Sequence, residues 1–150
     1  MQDHVPDSSL PIPDGYQLLT RGGKFLAMIG PLYERPADDG TVIVAMRIGE
    51  QHGNMRGMAH GGLLATLADS AFGFNMMMTR EPPAPMITVN LSTDYLSAAK
   101  VGDWLEARVH MRRVGRRLAF AECVLSVGDR EVSRSTAVFT DAGSATRPSA

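Results

Sequence analysis

The chain has 150 residues, 44% of them apolar and 21% charged, with a formal net charge of -1, the make-up of one globular domain built on a single core. So little net charge gives no field to recruit nucleic acid or an anionic membrane surface, and no apolar run approaches the roughly 20 residues of a membrane-spanning helix. A single cysteine, Cys123, excludes an internal disulfide framework, and the opening stretch MQDHVPDSSLPIPDG has acids and prolines where a secretion signal needs basic and apolar residues; both features point to the cytoplasm.

Taken in chain order, residues 1–15, rich in Pro, Asp and Ser, read as an extended arm. Phe25 to Arg35 and Thr41 to Ile48 are apolar, partly β-branched runs split by the turn cluster PADDG, which predicts a hairpin. Met58 to Thr79 is long, apolar and helical in character. After it comes MITVNLSTDYL (86–96), which alternates. Ile87, Val89, Leu91, Thr93 and Tyr95 fall on one face, and Met86, Thr88, Asn90, Ser92 and Asp94 on the other, the pattern of a half-buried strand. WLEARVHMRR (104–113) sets Leu105, Ala107, Val109 and Met111 opposite Glu106, Arg108, His110 and Arg112. Gly115 marks a turn, and Gly128-Asp129 suits a tight hairpin between the last two runs, 116–127 and 130–140. Residues 141–150 have the composition of a frayed tail. One helix among about six strands cannot supply the crossovers of a parallel sheet. The predicted class is α+β, a single domain in which a curved antiparallel sheet, its last four strands a meander, packs on one central helix.

Within that helix the only formally charged side chain is Asp69. A helix apolar all round is a buried one, and an unpaired buried carboxylate costs several kcal/mol. A structural reading gives Asp69 a capping or ion-pairing role; a functional one makes it a general base, since such costly groups concentrate at active sites. The helix opens with His60-Gly61-Gly62. First-turn amides have no intrahelical partner and sit at the positive end of the helix dipole. Bare glycine amides there let a ligand oxygen approach, as an oxyanion hole requires. Gly-Gly alone is equally explained by a tight turn; paired with Asp69 it reads as a site.

Gly61 and Asp69 are eight residues apart, about 12 Å along a helix axis. A base and an oxyanion donor must both lie within roughly 3 Å of the reacting group or its water. One chain cannot bring both to one substrate, whereas two chains related by a two-fold axis can. The site therefore predicts at least a homodimer.

Other candidates read as structure. His52 near His60 and Asp69 matches no metal-ligand spacing, so no metal is expected. Cys123 lies in an apolar strand and reads as core. No G-x-S-x-G stretch marks a nucleophile elbow. Met76, Met77 and Met78 suit either core or pocket lining. The cluster RRVGRR (112–117) reads first as a solvated hairpin; it lacks the interleaved aromatics of a nucleic-acid surface.

Asn54, His60-Gly61-Gly62, Asp69 within the helix, Thr88 on the next strand, YLSAAKVGD (95–103) and GRRLAF (115–120) together resemble the hotdog-fold acyl-CoA thioesterases, in the branch of the phenylacetate-pathway thioesterase and thioesterase superfamily member 2. The resemblance runs from about Gly30 to Phe139. It implies a hotdog fold, assembly into dimers and often tetramers (dimers of dimers), an acyl-CoA substrate and a site at the dimer interface. In such a site the amide of Gly61 polarises the thioester carbonyl, Asp69 of the neighbouring chain activates water, and Asn54 and His60 help to hold carbonyl or water. Thr88 stands where that branch has a serine, keeping the hydroxyl that orients the base. Gly62 would border the substrate, and Arg116 and Arg117 could meet the phosphates of coenzyme A. No cofactor is implied, since water is the nucleophile. A binding module without turnover and a hotdog dehydratase are the alternatives; the first is expected to lack Asp69, and the second has proline-containing sequence after its histidine, where this chain has Gly-Gly.

Overall fold

The computed structural model describes residues 10–143. In chain order its elements are β1 (Gln17–Leu18), α1 (Gly23–Ile29), β2 (Tyr33–Pro36), β3 (Val42–Arg47), a single 3-10 turn (Glu50–His52), α2 (Gly61–Met77), β4 (Met86–Tyr95), β5 (Trp104–Val114), β6 (Leu118–Val127) and β7 (Arg130–Asp141). The strands form one antiparallel sheet in the order β1-β2-β3-β5-β6-β7-β4, and β3 to β7 all pack against α2. This is the hotdog arrangement, with seven strands where about six were expected, the extra one being the two-residue β1.

Alternation in the later strands turns one face of each inward. Leu105, Ala107 and Val109 of β5, Ala119, Ala121, Cys123 and Leu125 of β6, and Ser133, Ser135, Ala137 and Phe139 of β7 are buried, and so is Val132, which a register shift leaves without a strand partner. Against them α2 sets Leu64, Leu67, Ala68, Ala71, Phe72 and Met76. The Phe72 and Phe139 rings meet at 6.0 Å and 49°, and each such buried side chain contributes about 1.5–3 kcal/mol. Asn75, buried on the same helix face, accepts from Val42 N–H (2.8 Å) and donates to the Val42 carbonyl (2.9 Å), pinning α2 to the start of β3. Gly115 closes the β5–β6 turn, where a Cβ would stand 2.9 Å from the Leu118 carbonyl oxygen. Gly128, at φ +57°, makes the β6–β7 turn.

Three expectations change. The run from Phe25 to Arg35 is not one strand. Its first part is α1, where Leu26 and Ile29, three apart, lean on the core while Phe25 and Met28 stay exposed; Gly30 closes the helix by donating to the Leu26 carbonyl, and only Tyr33–Pro36 is strand. The last four strands are not a meander. β5, β6 and β7 are, but β4 lies at the far edge, against β7. The connection from Leu96 to Asp103 runs under the start of α2, with Ala59 N–H donating to the Ala99 carbonyl and Met58 bridged to Lys100. Sequence neighbours are sheet neighbours only about two times in three. Finally, α2 is not buried all round: Leu63, Leu64, Leu67, Ala68, Ala71, Phe72, Asn75 and Met76 make a buried half, while Ala65, Thr66, Asp69, Ser70, Gly73 and Met77 stay partly open.

Of the arm expected over 1–15, residues 10–15 are mostly exposed with neither helix nor strand, and 1–9 lie outside the described residues. Of the tail expected over 141–150, Asp141 is the last residue of β7, opposite Met86, and 144–150 lie outside them. No helix among the described residues is long and apolar enough to cross a membrane.

Candidate active site

Asp69 sits two turns into α2 on the half of the helix that faces away from the sheet core. Its Oδ1 accepts a 2.7 Å hydrogen bond from Thr88 Oγ1 on β4. The neighbouring hydroxyls are engaged elsewhere, Thr66 with the Gly62 carbonyl and Ser70 with the Thr66 carbonyl, both at 2.8 Å. One carboxylate oxygen is thereby held, while the other has no hydrogen-bond partner among the described residues. The carboxylate is half-exposed in the single chain rather than buried as the sequence suggested, because it lies on the open half of the helix.

Thr88 reaches Asp69 through an irregularity in β4. Thr88 pairs with Phe139 and Asn90 with Val138, so Val89 is an extra residue, a bulge. A bulge shifts the alternation by one. Thr88, opposite buried Phe139, therefore shares the helix-facing side with Leu91, Thr93 and Tyr95, against the strict alternation expected from sequence. Tyr95, to which the sequence analysis gave no role at the helix start, also reaches it. Its hydroxyl donates to the Gly61 carbonyl at 3.0 Å, and its ring lies 3.4 Å from where a Cβ on Gly61 would be.

The first turn of α2 leaves one amide free. His60 is the N-cap, its Nδ1 accepting from Gly62 N–H at 2.9 Å. Leu63 and Leu64 N–H both donate to the His60 carbonyl. Among the described residues nothing accepts from Gly61 N–H. It is the unengaged donor at the positive end of the dipole, whereas the amide of Gly62 is occupied by the cap. Because His60 Nδ1 is an acceptor here, its Nε2 carries the proton in the neutral ring and points from an exposed side chain. Asn54 uses its Oδ1 to accept from Arg56 N–H (2.8 Å) and Met58 N–H (3.3 Å), leaving its amide nitrogen to donate. Arg116 and Arg117 are exposed in the β5–β6 turn. Register ties that turn to the site: Ala119 pairs with Phe139, which pairs with Thr88, so Arg117 lies two residues beyond the row of Thr88, at the same end of the sheet.

His52 and Cys123 are accounted for structurally. His52 is buried; Gly49 N–H donates to its Nδ1 at 2.8 Å and its Nε2 donates to the Ile29 carbonyl at 2.6 Å. Burial pulls its pKa below the usual 6.5, with the Ile29 carbonyl opposing. Burial pushes the Cys123 thiol up to about 12, so it is protonated and inert at neutral pH. Met76 is core, whereas Met78 is 62% exposed.

The fold, a seven-stranded antiparallel sheet packed on one long helix, is that of a hotdog protein, with Asp69 on the open half of the helix and the Gly61 amide at its start. The thioesterase superfamily model matches residues 56–134, and the chain belongs to that family. It is 44% identical over 128 residues, 85% of its own length and 96% of the other's, to a candidate esterase of Pseudomonas aeruginosa. It is 33% identical to human acyl-coenzyme A thioesterase 13 over 72% of this chain and 76% of that one. Among solved structures, a variant of the phenylacetic acid degradation protein PaaI of Thermus thermophilus superposes with a TM-score of 0.70 at 27% identity, covering 78% of this chain and 97% of that one.

Proposed function

We propose that the protein hydrolyses an acyl-CoA thioester by general-base activation of water, with Asp69 as the base. The observation that carries this reading is the Thr88–Asp69 hydrogen bond on the open face of α2, which orients one carboxylate oxygen and leaves the other to take a proton. Water attacks the thioester carbon and gives its proton to Asp69. The carbonyl oxygen gains charge that Gly61 N–H receives, with the Asn54 amide and His60 Nε2–H as further donors. The C–S bond then breaks, the sulfur of coenzyme A takes the proton from Asp69, and the acid and the free thiol leave. Gly62 borders the substrate, and Arg116 and Arg117 meet the nucleotide phosphates.

Gly61 and Asp69 stand about 12 Å apart on one regular helix, so each site takes its amide from one chain and its base from a second. A homodimer is the minimum, and a tetramer is a pairing of such dimers. The terminal position of β4, with Ile87 53% and Val89 59% exposed, supports pairing through that edge, since a long open apolar edge is a template for another strand. A single unpaired cysteine fits work in the reducing cytoplasm.

Asp69→Asn tests the reading. The variant is nearly isosteric and is expected to fold and to lower kcat on acyl-CoA by about 10²–10⁴-fold, followed as release of free thiol. A rate equal to that of the wild type would remove Asp69 from the mechanism.

A further inference from the structure

We propose that α1 is the wall that selects the acyl group, with Phe25 and Leu26 touching the apolar body of an acyl chain larger than acetyl while its thioester carbon lies at Asp69. This rests on the placement of the thioester given above.

A groove of about 440 Å³ runs between α1 and the open face of α2. Asp69 and Ser70 mark its polar side, and Phe25, Leu26, Ala65 and Leu91 line it with carbon. Thr66 lines it as well, and the Thr66 and Ser70 hydroxyls are both turned to backbone carbonyls of their own helix. The groove therefore offers one reactive carboxylate and otherwise apolar surface, which fits an acyl group and not a polar one.

Anchors at both ends hold α1 along α2. At its start the Arg21 guanidinium lies 4.9 Å from the centre of the Phe74 ring, and a Cβ on Gly22 would stand 3.3 Å from that ring. At its finish the Ile29 carbonyl accepts from His52 Nε2, and the His52 carbonyl in turn accepts from His60 N–H at the head of α2. So α1 spans from the level of Phe74 to that of His60 and passes Asp69, which lies between them in sequence. None of its residues is buried, and Phe25 is 57% exposed. An aromatic side chain fixed beside a reactive carboxylate and left open to water is surface that a ligand covers.

The test separates binding from turnover. S-ethyl-CoA and S-hexyl-CoA are thioethers that cannot be hydrolysed, and their dissociation constants are measured by calorimetry for the wild type, Phe25→Ala and Ala65→Phe. The wild type is expected to prefer the hexyl compound. Phe25→Ala should lower that preference by about tenfold, within the range one apolar pocket contact provides. Ala65→Phe, which fills the groove, should abolish it. The ratio of kcat/KM for hexanoyl-CoA to that for acetyl-CoA should move in parallel. A wild type without hexyl preference, or a preference unchanged by Phe25→Ala, overturns the assignment. Phe25 is on the surface, so that arm stands even where Ala65→Phe does not fold. An inactive wild type that still prefers hexyl would bring down the hydrolytic reading and leave the selecting wall in place.

Discussion

A carboxylate is useful to a general-base reaction only when one lone pair points at the water, and in the proposed mechanism the Thr88 hydrogen bond sets that direction at Asp69. Thr88→Val keeps the shape and removes the donor. A hydrogen bond to a charged group contributes about 1.5–3 kcal/mol, so kcat is expected to fall about ten- to hundredfold with KM nearly unchanged, and Thr88→Ser should restore it. A kcat within twofold of wild type in Thr88→Val would show that the hydroxyl does not orient the base. Asp69 itself is legible in the sequence because it is the one formal charge in an apolar helix. Thr88 is not legible from pattern: strict alternation puts it on the face opposite Leu91, and the bulge at Val89 that reverses this has no Gly or Pro to announce it. Family resemblance marked the position, and the register explains how it reaches the site.

Elements differ in how much of them their own residues specify. β5 up to Met111, β6, and β7 from Ser133 onward follow their alternation, since each pairs on both sides and buries one face; a register shift at Val132 interrupts it. The segment that becomes α1 carries residues that suit helix and strand alike, and the outcome depends on what it packs against. That packing hinges on His52, which joins Gly49, the end of α1 and the head of α2. Its pKa is held below 6.5 by burial, so the unfolded chain binds the proton more readily. The contribution of His52 to stability is complete above pH 6.5 and is lost as the pH falls below that value toward the folded pKa. Resistance to urea should therefore decline from pH 7 to pH 5 with a slope of at most about 1.4 kcal/mol per pH unit from this group, and His52→Gln should flatten that decline. An equally steep decline in the variant would assign the dependence to other groups.

At the scale of the whole molecule the question is which chain supplies which half of a site. Asp69→Asn and Gly61→Pro are each expected to be inactive. Proline is tolerated at the first helical position, and His60, at ψ 136°, already has the extended conformation that a following proline demands. Unfolded together in equal amounts and refolded, they should give about half mixed dimers. Two-fold symmetry leaves one intact site in each, so about a quarter of full activity returns. No recovery in preparations that mass spectrometry shows to contain mixed dimers would mean that base and oxyanion donor serve the same chain.

The sequence by itself determined the α+β class, the single long helix, the turns at Gly115 and Gly128, and the pairing of a lone acid with a glycine-opened helix start. Each of these is written in local composition or in a period of two, so neighbours along the chain carry the information. Tertiary structure alone decided that β4 joins the far edge of the sheet, that α1 is a helix lying along α2, and that half of α2 stays open around Asp69. Those features depend on contacts between residues far apart in the chain, and there the burial of apolar surface overrides the preference of any short stretch.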